Sequence, residues 1–287
     1  MDFKLLTPSD FDEVRIALKA AFSTYSIQLD TSEKALFERF TRVNVSYPHS
    51  GAFYEGNKMV GFILHGIGER NGKKVAYNAG TGVIPEFRGQ QLTEKMYANL
   101  IDMLIKNNFS EIVLEVIDTN ESAVKIYDKI GFKKTRLLNC YIQNDDFEMG
   151  NKKTNDLDTM IVPTNFPNDL ISDFLVKNAD CIPSWQNDLH QIKNNKGEKA
   201  FLSYLGDSLV GIIMLNVNSG RVSSICVDRK FRRKGLATQL LLHAQLQSYP
   251  QLLSFINVDN AASDLNLFLK RQHFDIFVKQ EEMKITI

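Results

Sequence analysis

One basic turn is written twice in this chain. Arg88-Gly89-Gln90-Gln91-Leu92-Thr93 and Arg232-Arg233-Lys234-Gly235-Leu236-Ala237 each follow a short apolar run, Thr81 to Ile84 and Ser224 to Val227, and each opens an amphipathic segment. Strand, basic turn, helix is an anion site. The first N–H groups of a helix have no partner inside it, and the helix dipole adds partial positive charge at the same end. A pyrophosphate fits there.

The repeat extends beyond the turns. Ala52-Phe53 and Val60-Gly61, around Gly56, return as Ala200-Phe201 and Val210-Gly211, around Gly206. The offset is about 150 residues there, about 144 at the turns and about 142 where Gly131-Phe132 meets His273-Phe274. Hairpin glycines between apolar runs are common singly, but several landmarks in one order at nearly one offset point to a duplicated domain. The expected division is 1–145 and 156–287, with the polar stretch 143–155 as linker. A chain of 287 residues accommodates two such domains, each with its own core.

Lys+Arg and Asp+Glu both total 34, so no global basic field is available for nucleic acid or an anionic membrane. Positive charge is instead local, at Arg229, Lys230, Arg232, Arg233 and Lys234, a solvated turn or a phosphate contact. Cys140, Cys181 and Cys226 show neither metal-ligand nor disulfide spacing, which fits a reducing cytoplasm and no metal. No apolar run approaches membrane-spanning length, and the N-terminus lacks a secretory pattern.

Periodicity predicts a strand at Phe3 to Leu6, helices from Phe11 and over Ser32 to Phe40, a hairpin over Gly51 to Leu64 and a strand over Val75 to Ile84. After the first turn, Leu92, Met96, Leu100 and Leu104 form a helical core stripe. A strand at Ile112 to Val116, a helix at Glu121 to Lys129 and a strand near Thr135 to Ile142 follow. The second half repeats this order: a strand at Thr159 to Pro163, helices at Asp169 to Lys177 and Ser184 to Lys193, a hairpin at Lys199 to Leu215, a strand at Arg221 to Val227, the second turn and its helix. A strand at Leu253 to Val258, a helix near Ser263 to Gln272 and a strand at Asp275 to Lys279 close it.

With these residues placed, the chain resembles the GNAT superfamily of acyl-CoA-dependent N-acyltransferases. Its cofactor signature, Arg/Gln-x-x-Gly-x-Gly/Ala after a strand, is met in full by Arg232, Gly235 and Ala237, and in part by Arg88, with Gln91 and Thr93 where small residues are usual. A second signature is complete in the first half: Asn120-x-x-Ala123-x-x-Ile126-Tyr127-x-x-x-Gly131-Phe132. In the second half Leu269 stands at the tyrosine position, and Asn260 lies two residues out of register.

The resemblance implies an α/β (α+β) architecture of two tandem domains, each a mixed twisted sheet flanked by helices. It implies acetyl-CoA as cosubstrate, bound through Val83, Arg88, Gly89, Gln90, Gln91, Leu92, Thr93 and Asn120 in one half. The matching set in the other is Val227, Arg232, Arg233, Lys234, Gly235, Leu236, Ala237 and Thr238. It implies that Tyr127 protonates the departing thiolate of coenzyme A; as sequence alone, Tyr127 also reads as a core aromatic. Glu115, pointing opposite to Leu114 and Val116, is either a paired carboxylate or the base near the acceptor amine. The expected function is acetyl transfer to a primary amine, of a small molecule or a peptide, by direct attack. The alternatives are a non-catalytic acyl-CoA sensor and catalysis in the second half. Phe22, Tyr25, Phe37 and Tyr47 are either acceptor-site or core aromatics, and His65 and His243 read as structural. A monomer or homodimer is expected, with no nucleic-acid or membrane partner.

Overall fold

A computed structural model of the chain describes residues 1–23, 30–144, 157–164, 169–193 and 195–287. They form two compact units: Met1–Thr135 with Glu281–Ile287, and Arg136–Gln280.

The first unit begins with β1 (Asp2–Leu5), α1 (Phe11–Phe22), α2 (Glu33–Arg42), β2 (Gly51–Glu55), β3 (Lys58–Arg70) and β4 (Lys73–Val83). It continues through α3 (Leu92–Lys106), β5 (Phe109–Ile117) and α4 (Glu121–Ile130). Strands β1 to β4 pair antiparallel in chain order, and β4 pairs parallel with β5. Two hairpins place left-handed residues where their turns require them: Gly56 in the first, and Asn71 with Gly72 in the second (φ 52° and 71°). The second hairpin carries β3 to Arg70, six residues past the expected end at Leu64. Helices start and stop on local chemistry. Ser32 caps α2, the Asn120 side chain accepts from the Ala123 N–H at the start of α4, and Gly131 ends α4 at φ 115°. Met96, Leu100 and Leu104 of α3 are buried with Ile63, Ile112, Leu114 and Phe132 in one core.

The second unit holds β7 (Thr159–Thr164), α5 (Asp169–Asn178), α6 (Leu189–Ile192), β8 (Glu198–Leu205), β9 (Ser208–Asn216), β10 (Arg221–Val227), α7 (Leu236–Ser248), β11 (Ser254–Asp259) and α8 (Ser263–Arg271). Strands β7 to β10 repeat the antiparallel order, and β10 pairs parallel with β11. The expected helix over Ser184 to Lys193 is two pieces, a 3-10 turn at Trp185–Asn187 and the short α6. Asn187 explains the break: its side-chain amide donates to the Ile256 carbonyl and its oxygen accepts from Arg221.

The expected domain limits, 1–145 and 156–287, differ from these units at the final strands. Strand β6 (Lys133–Gln143) passes from the first unit into the second after Thr135, and β12 (Phe274–Thr286) passes into the first after Gln280. In the first unit the end of β12 lies beside β5: Ile287 N–H donates to Ser110 O at 3.0 Å, and Lys284 Nζ pairs with Glu111 at 3.1 Å. In the second unit β6 pairs antiparallel with β11, in register Phe255↔Tyr141 and Asp259↔Leu138. Asn139 and Tyr141 both bond the Asn266 side-chain oxygen, at 2.8 and 2.7 Å, which fixes that register in a buried place. The expected linker lies largely outside the described residues.

Candidate active site

In the first unit, β4 and β5 are paired only as far as Tyr77↔Val113, although β4 runs on to Val83 and β5 to Ile117. Past that point the strands part. The Ile84 N–H donates to Val60 O, toward β3, so alternation turns the Val83 N–H away from β3 and into the gap.

The turn after Val83 combines two left-handed residues with free amides. Gly89 has φ 76° and Gln91 φ 58°, and Gln91 is the residue immediately before α3. From Gly89 to Glu94 the backbone N–H groups have no hydrogen-bond partner among the described residues; the first bond is Lys95 N–H to Gln91 O. A Cβ on Gly89 would meet nothing within 4 Å, so the turn is open on that side. Six unpartnered N–H donors at a helix N-terminus are groups that can hold an anion such as a phosphate. The Arg88 side chain is turned elsewhere. Its guanidinium donates to Val83 O at 3.3 Å and to Ala21 O at 2.8 Å, tying the strand end to α1.

The second turn is built alike with the residue types exchanged. Arg233 (φ 63°) occupies the place of Gly89, and Gly235 (φ 85°) that of Gln91. The N–H groups from Arg232 to Thr238 likewise have no partner among the described residues. Arg232 bonds Val227 O, Asn178 O and Asp180, repeating the structural role of Arg88. Lys234 lies over the Phe231 ring, its ammonium 5.1 Å from the centroid.

Tyr127 is buried in α4, edge-to-face with Phe132 at 5.7 Å and with Tyr97 at 6.3 Å. Asn120 caps the same helix, so the cap and the tyrosine are placed by one element. Leu114 and Val116 lie in the core with Tyr127, which sends Glu115 to the opposite face of the sheet. There its carboxylate accepts from the Tyr77 hydroxyl at 2.7 Å. Arg39, from α2, is close enough to both for their charges to act on it; burial pulls its pKa below the ordinary value and Tyr77 and Glu115 oppose that shift. Tyr77 and Arg39 had no signal in the sequence beyond strand alternation and an amphipathic helix.

Of the other aromatics considered, Phe37 is 60% exposed, Phe22 and Tyr47 are half-buried, and Tyr25 lies outside the described residues. His65 is fully buried, bonds the His49 carbonyl through Nδ1, and is pulled by burial down to about 4, so it is neutral at pH 7. Among the described residues no cluster of His, Cys, Asp and Glu could hold a metal ion, and no helix is long and apolar enough to cross a membrane.

Comparison with known proteins agrees with this geometry. Residues 14–132 match the Acetyltransferase (GNAT) family and residues 176–272 an Acetyltransferase (GNAT) domain. The chain belongs to the GNAT acetyltransferase family. Among curated proteins it is 32% identical to N-alpha-acetyltransferase 30 of Schizosaccharomyces pombe over 71 residues, 24% of this chain and 47% of the relative. The chain spans about half the length of the curated relatives it matches. Two solved structures share the fold along nearly all of both chains. A GCN5-related N-acetyltransferase from Sphaerobacter thermophilus has a TM-score of 0.72 at 13% identity, covering 99% of this chain and 95% of that one. A tandem GNAT protein from the clavulanic acid biosynthesis pathway has a TM-score of 0.70 at 12% identity, covering 99% and 98%.

The two GNAT units are not chemically equivalent. In the second, β10 and β11 part after Val222↔Phe255, and the position of Tyr127 is taken by Leu269, fully buried in the core. Both units offer the amide turn, but only the first adds the phenol and Glu115.

Proposed function

We propose that the chain is an N-acetyltransferase that moves an acetyl group from acetyl-CoA to a primary amine, with the chemistry in the first unit. The observation that carries this reading is the coincidence, in that unit alone, of the open amide turn at Gly89–Glu94, the parting of β4 from β5, and Tyr127 on the helix capped by Asn120. On this reading the amides of Gly89 to Thr93 hold the pyrophosphate and Asn120 steadies the pantetheine arm. The same turn in the second unit, Arg232 to Thr238, gives a second place where coenzyme A phosphates bind.

Amines are mostly protonated at neutral pH. Glu115, steadied by Tyr77, takes one proton from the acceptor ammonium, and the Val83 N–H stabilises the oxygen that becomes negative when nitrogen attacks the thioester carbonyl. The C–S bond then breaks, and Tyr127 gives its proton to sulfur. The nitrogen loses its second proton to solvent, which restores Tyr127, and Glu115 returns its proton to water. One amide, one thiol and one proton result, with no covalent enzyme intermediate. The acceptor is a small-molecule or peptide amine, and the free thiols Cys140, Cys181 and Cys226 fit a cytoplasmic setting.

A non-catalytic acyl-CoA sensor is the second reading, favoured by Leu269 in a unit that keeps its amide turn. Acetyl-CoA consumption by the full chain against polyamines, aminoglycosides and peptide N-termini separates the two. Turnover of any of them supports the transferase; binding of acetyl-CoA with no turnover across the panel supports the sensor.

A further inference from the structure

A largely buried polar set lies in the first unit where the second has only hydrocarbon side chains. Strand register aligns the two hairpins: Gly61↔Val83 corresponds to Gly211↔Val227, and His65↔Asn78 to Leu215↔Val222, with a bulge at the same place in each. Thr81 opposite Ile63 corresponds to Ile225 opposite Ile213. Counting from the first residues of α3 and α7, Leu92 and Leu236, Tyr97 corresponds to Leu241; counting from those of α4 and α8, Tyr127 corresponds to Leu269. His65, Asn78, Thr81, Tyr97 and Tyr127 are thus matched by Leu215, Val222, Ile225, Leu241 and Leu269. The fold accepts apolar residues at all five places, and burying a polar group costs free energy unless it is bonded. The first unit keeps five together, and one of them is Tyr127.

The bonds within the set converge on Tyr97, which is fully buried. Asn78 is the first residue of β4 after its last pair with β5, where the strands part. Its Nδ2 donates to the Tyr97 hydroxyl oxygen at 2.7 Å and to the Thr81 hydroxyl at 2.7 Å. The Asn78 amide fills one lone pair of the Tyr97 oxygen, which leaves the hydroxyl proton as a separate donor. Tyr127 is the phenol packed edge-to-face against that ring, 6.3 Å between centroids. Burial raises Tyr97 well above its ordinary range, and the Tyr127 charge acts in the same direction, so Tyr97 stays protonated as a donor.

We propose that Tyr97, oriented by the Asn78 amide that Thr81 also accepts from, is a positioning residue for Tyr127: its hydroxyl donates to the Tyr127 oxygen once the proton has passed to sulfur. This rests on the reading of Tyr127 as the proton donor to coenzyme A. Hydrogen bonds to charged groups are the strong ones, so losing this donor slows the step that makes the phenolate by about tenfold or more.

The test is a double-mutant cycle in the full chain, with acetyl-CoA and the panel amine turned over fastest. Tyr127→Phe, Tyr97→Phe and the double variant are compared in kcat and in KM for acetyl-CoA. The expected result is a large loss for Tyr127→Phe, about tenfold for Tyr97→Phe with KM unchanged, and a double variant no slower than Tyr127→Phe alone. Asn78→Val, carrying the residue of the second unit, is expected to follow Tyr97→Phe and guards against a folding defect in one variant. If Tyr127→Phe is slow but the Tyr97→Phe loss multiplies with it, or is absent, the positioning role is wrong and the Tyr127 reading stands. If Tyr127→Phe keeps full turnover, or no amine is acetylated, the underlying reading fails and this inference with it.

Discussion

Gln91 and Gly235 hold the same position in their turns, the residue before the helix, and both are left-handed, at φ 58° and 85°. Their neighbours two residues earlier, Gly89 and Arg233, are left-handed as well, at 76° and 63°. Each turn therefore places one glycine and one side-chain residue in two strained positions, in opposite order. The left-handed region costs a residue with a Cβ about 1–2 kcal/mol, so each turn carries strain at one site, and in the first turn that site, Gln91, is the one where the family pattern has glycine.

Gln91→Gly relieves that strain while loosening the unfolded chain, for a net gain of about 0.5–1 kcal/mol. A thermal melt of the full chain is expected to rise by about 1–3 °C. Acetyl-CoA binding by titration is expected to hold or tighten, because the amides keep their places. A fall in both would mean that the Gln91 side chain is needed by the turn.

The first unit is completed by the end of the chain. Met283 is 2% exposed in its core, with Ile285 and Ile287 packed against the same cluster. Met283→Ala is expected to destabilise by about 2–5 kcal/mol. Truncation after Gln280 removes the strand beside β5 and is expected to leave residues 1–135 without cooperative structure by hydrogen exchange. A truncated chain with native protection in β5 and α3 would contradict the exchange of strands.

His65 sets an acid limit. Its folded pKa is depressed to about 4 by burial, from an unfolded value of 6.5. The unfolded chain therefore binds the extra proton between those values, and the stability held above pH 6.5 is lost as pH falls toward 4, by up to about 3 kcal/mol. Denaturant unfolding at pH 7 and pH 5 measures the difference. His65→Leu, with the residue of the second unit, is expected to flatten that dependence whatever it does to absolute stability. An unchanged slope would assign the acid loss to other groups.

Much of this was legible in the sequence, because turns and helix stripes are local. The repeat, both turns, the α3 stripe and the cap-to-tyrosine spacing of α4 come from residues a few positions apart. The exchange of β6 and β12 was not, since both strands alternate in the same way and only nonlocal partners such as Asn266 choose between β5 and β11. Trp185 to Ile192 read as one helix because periodicity does not register Asn187 reaching for the Ile256 carbonyl. Tyr97 lies one residue beyond Met96 of the core stripe, and Asn78 sits inside a strand; only their 2.7 Å contact distinguishes them from packing residues. Arg88 was legible as part of the basic turn, but the donation of its guanidinium to the Val83 and Ala21 carbonyls depends on α1, far away in sequence.

The central claim, that the first unit carries the chemistry through Tyr127, is tested most directly by kcat for acetyl-CoA turnover in the full chain bearing Tyr127→Phe. The ring and its contacts with Phe132 and Tyr97 remain, so folding is expected to survive. The account predicts a loss on the order of a hundredfold or more with little change in KM for acetyl-CoA. Full turnover by that variant, with a substitution at Gly235 abolishing it, would contradict the account and place the reaction in the second unit.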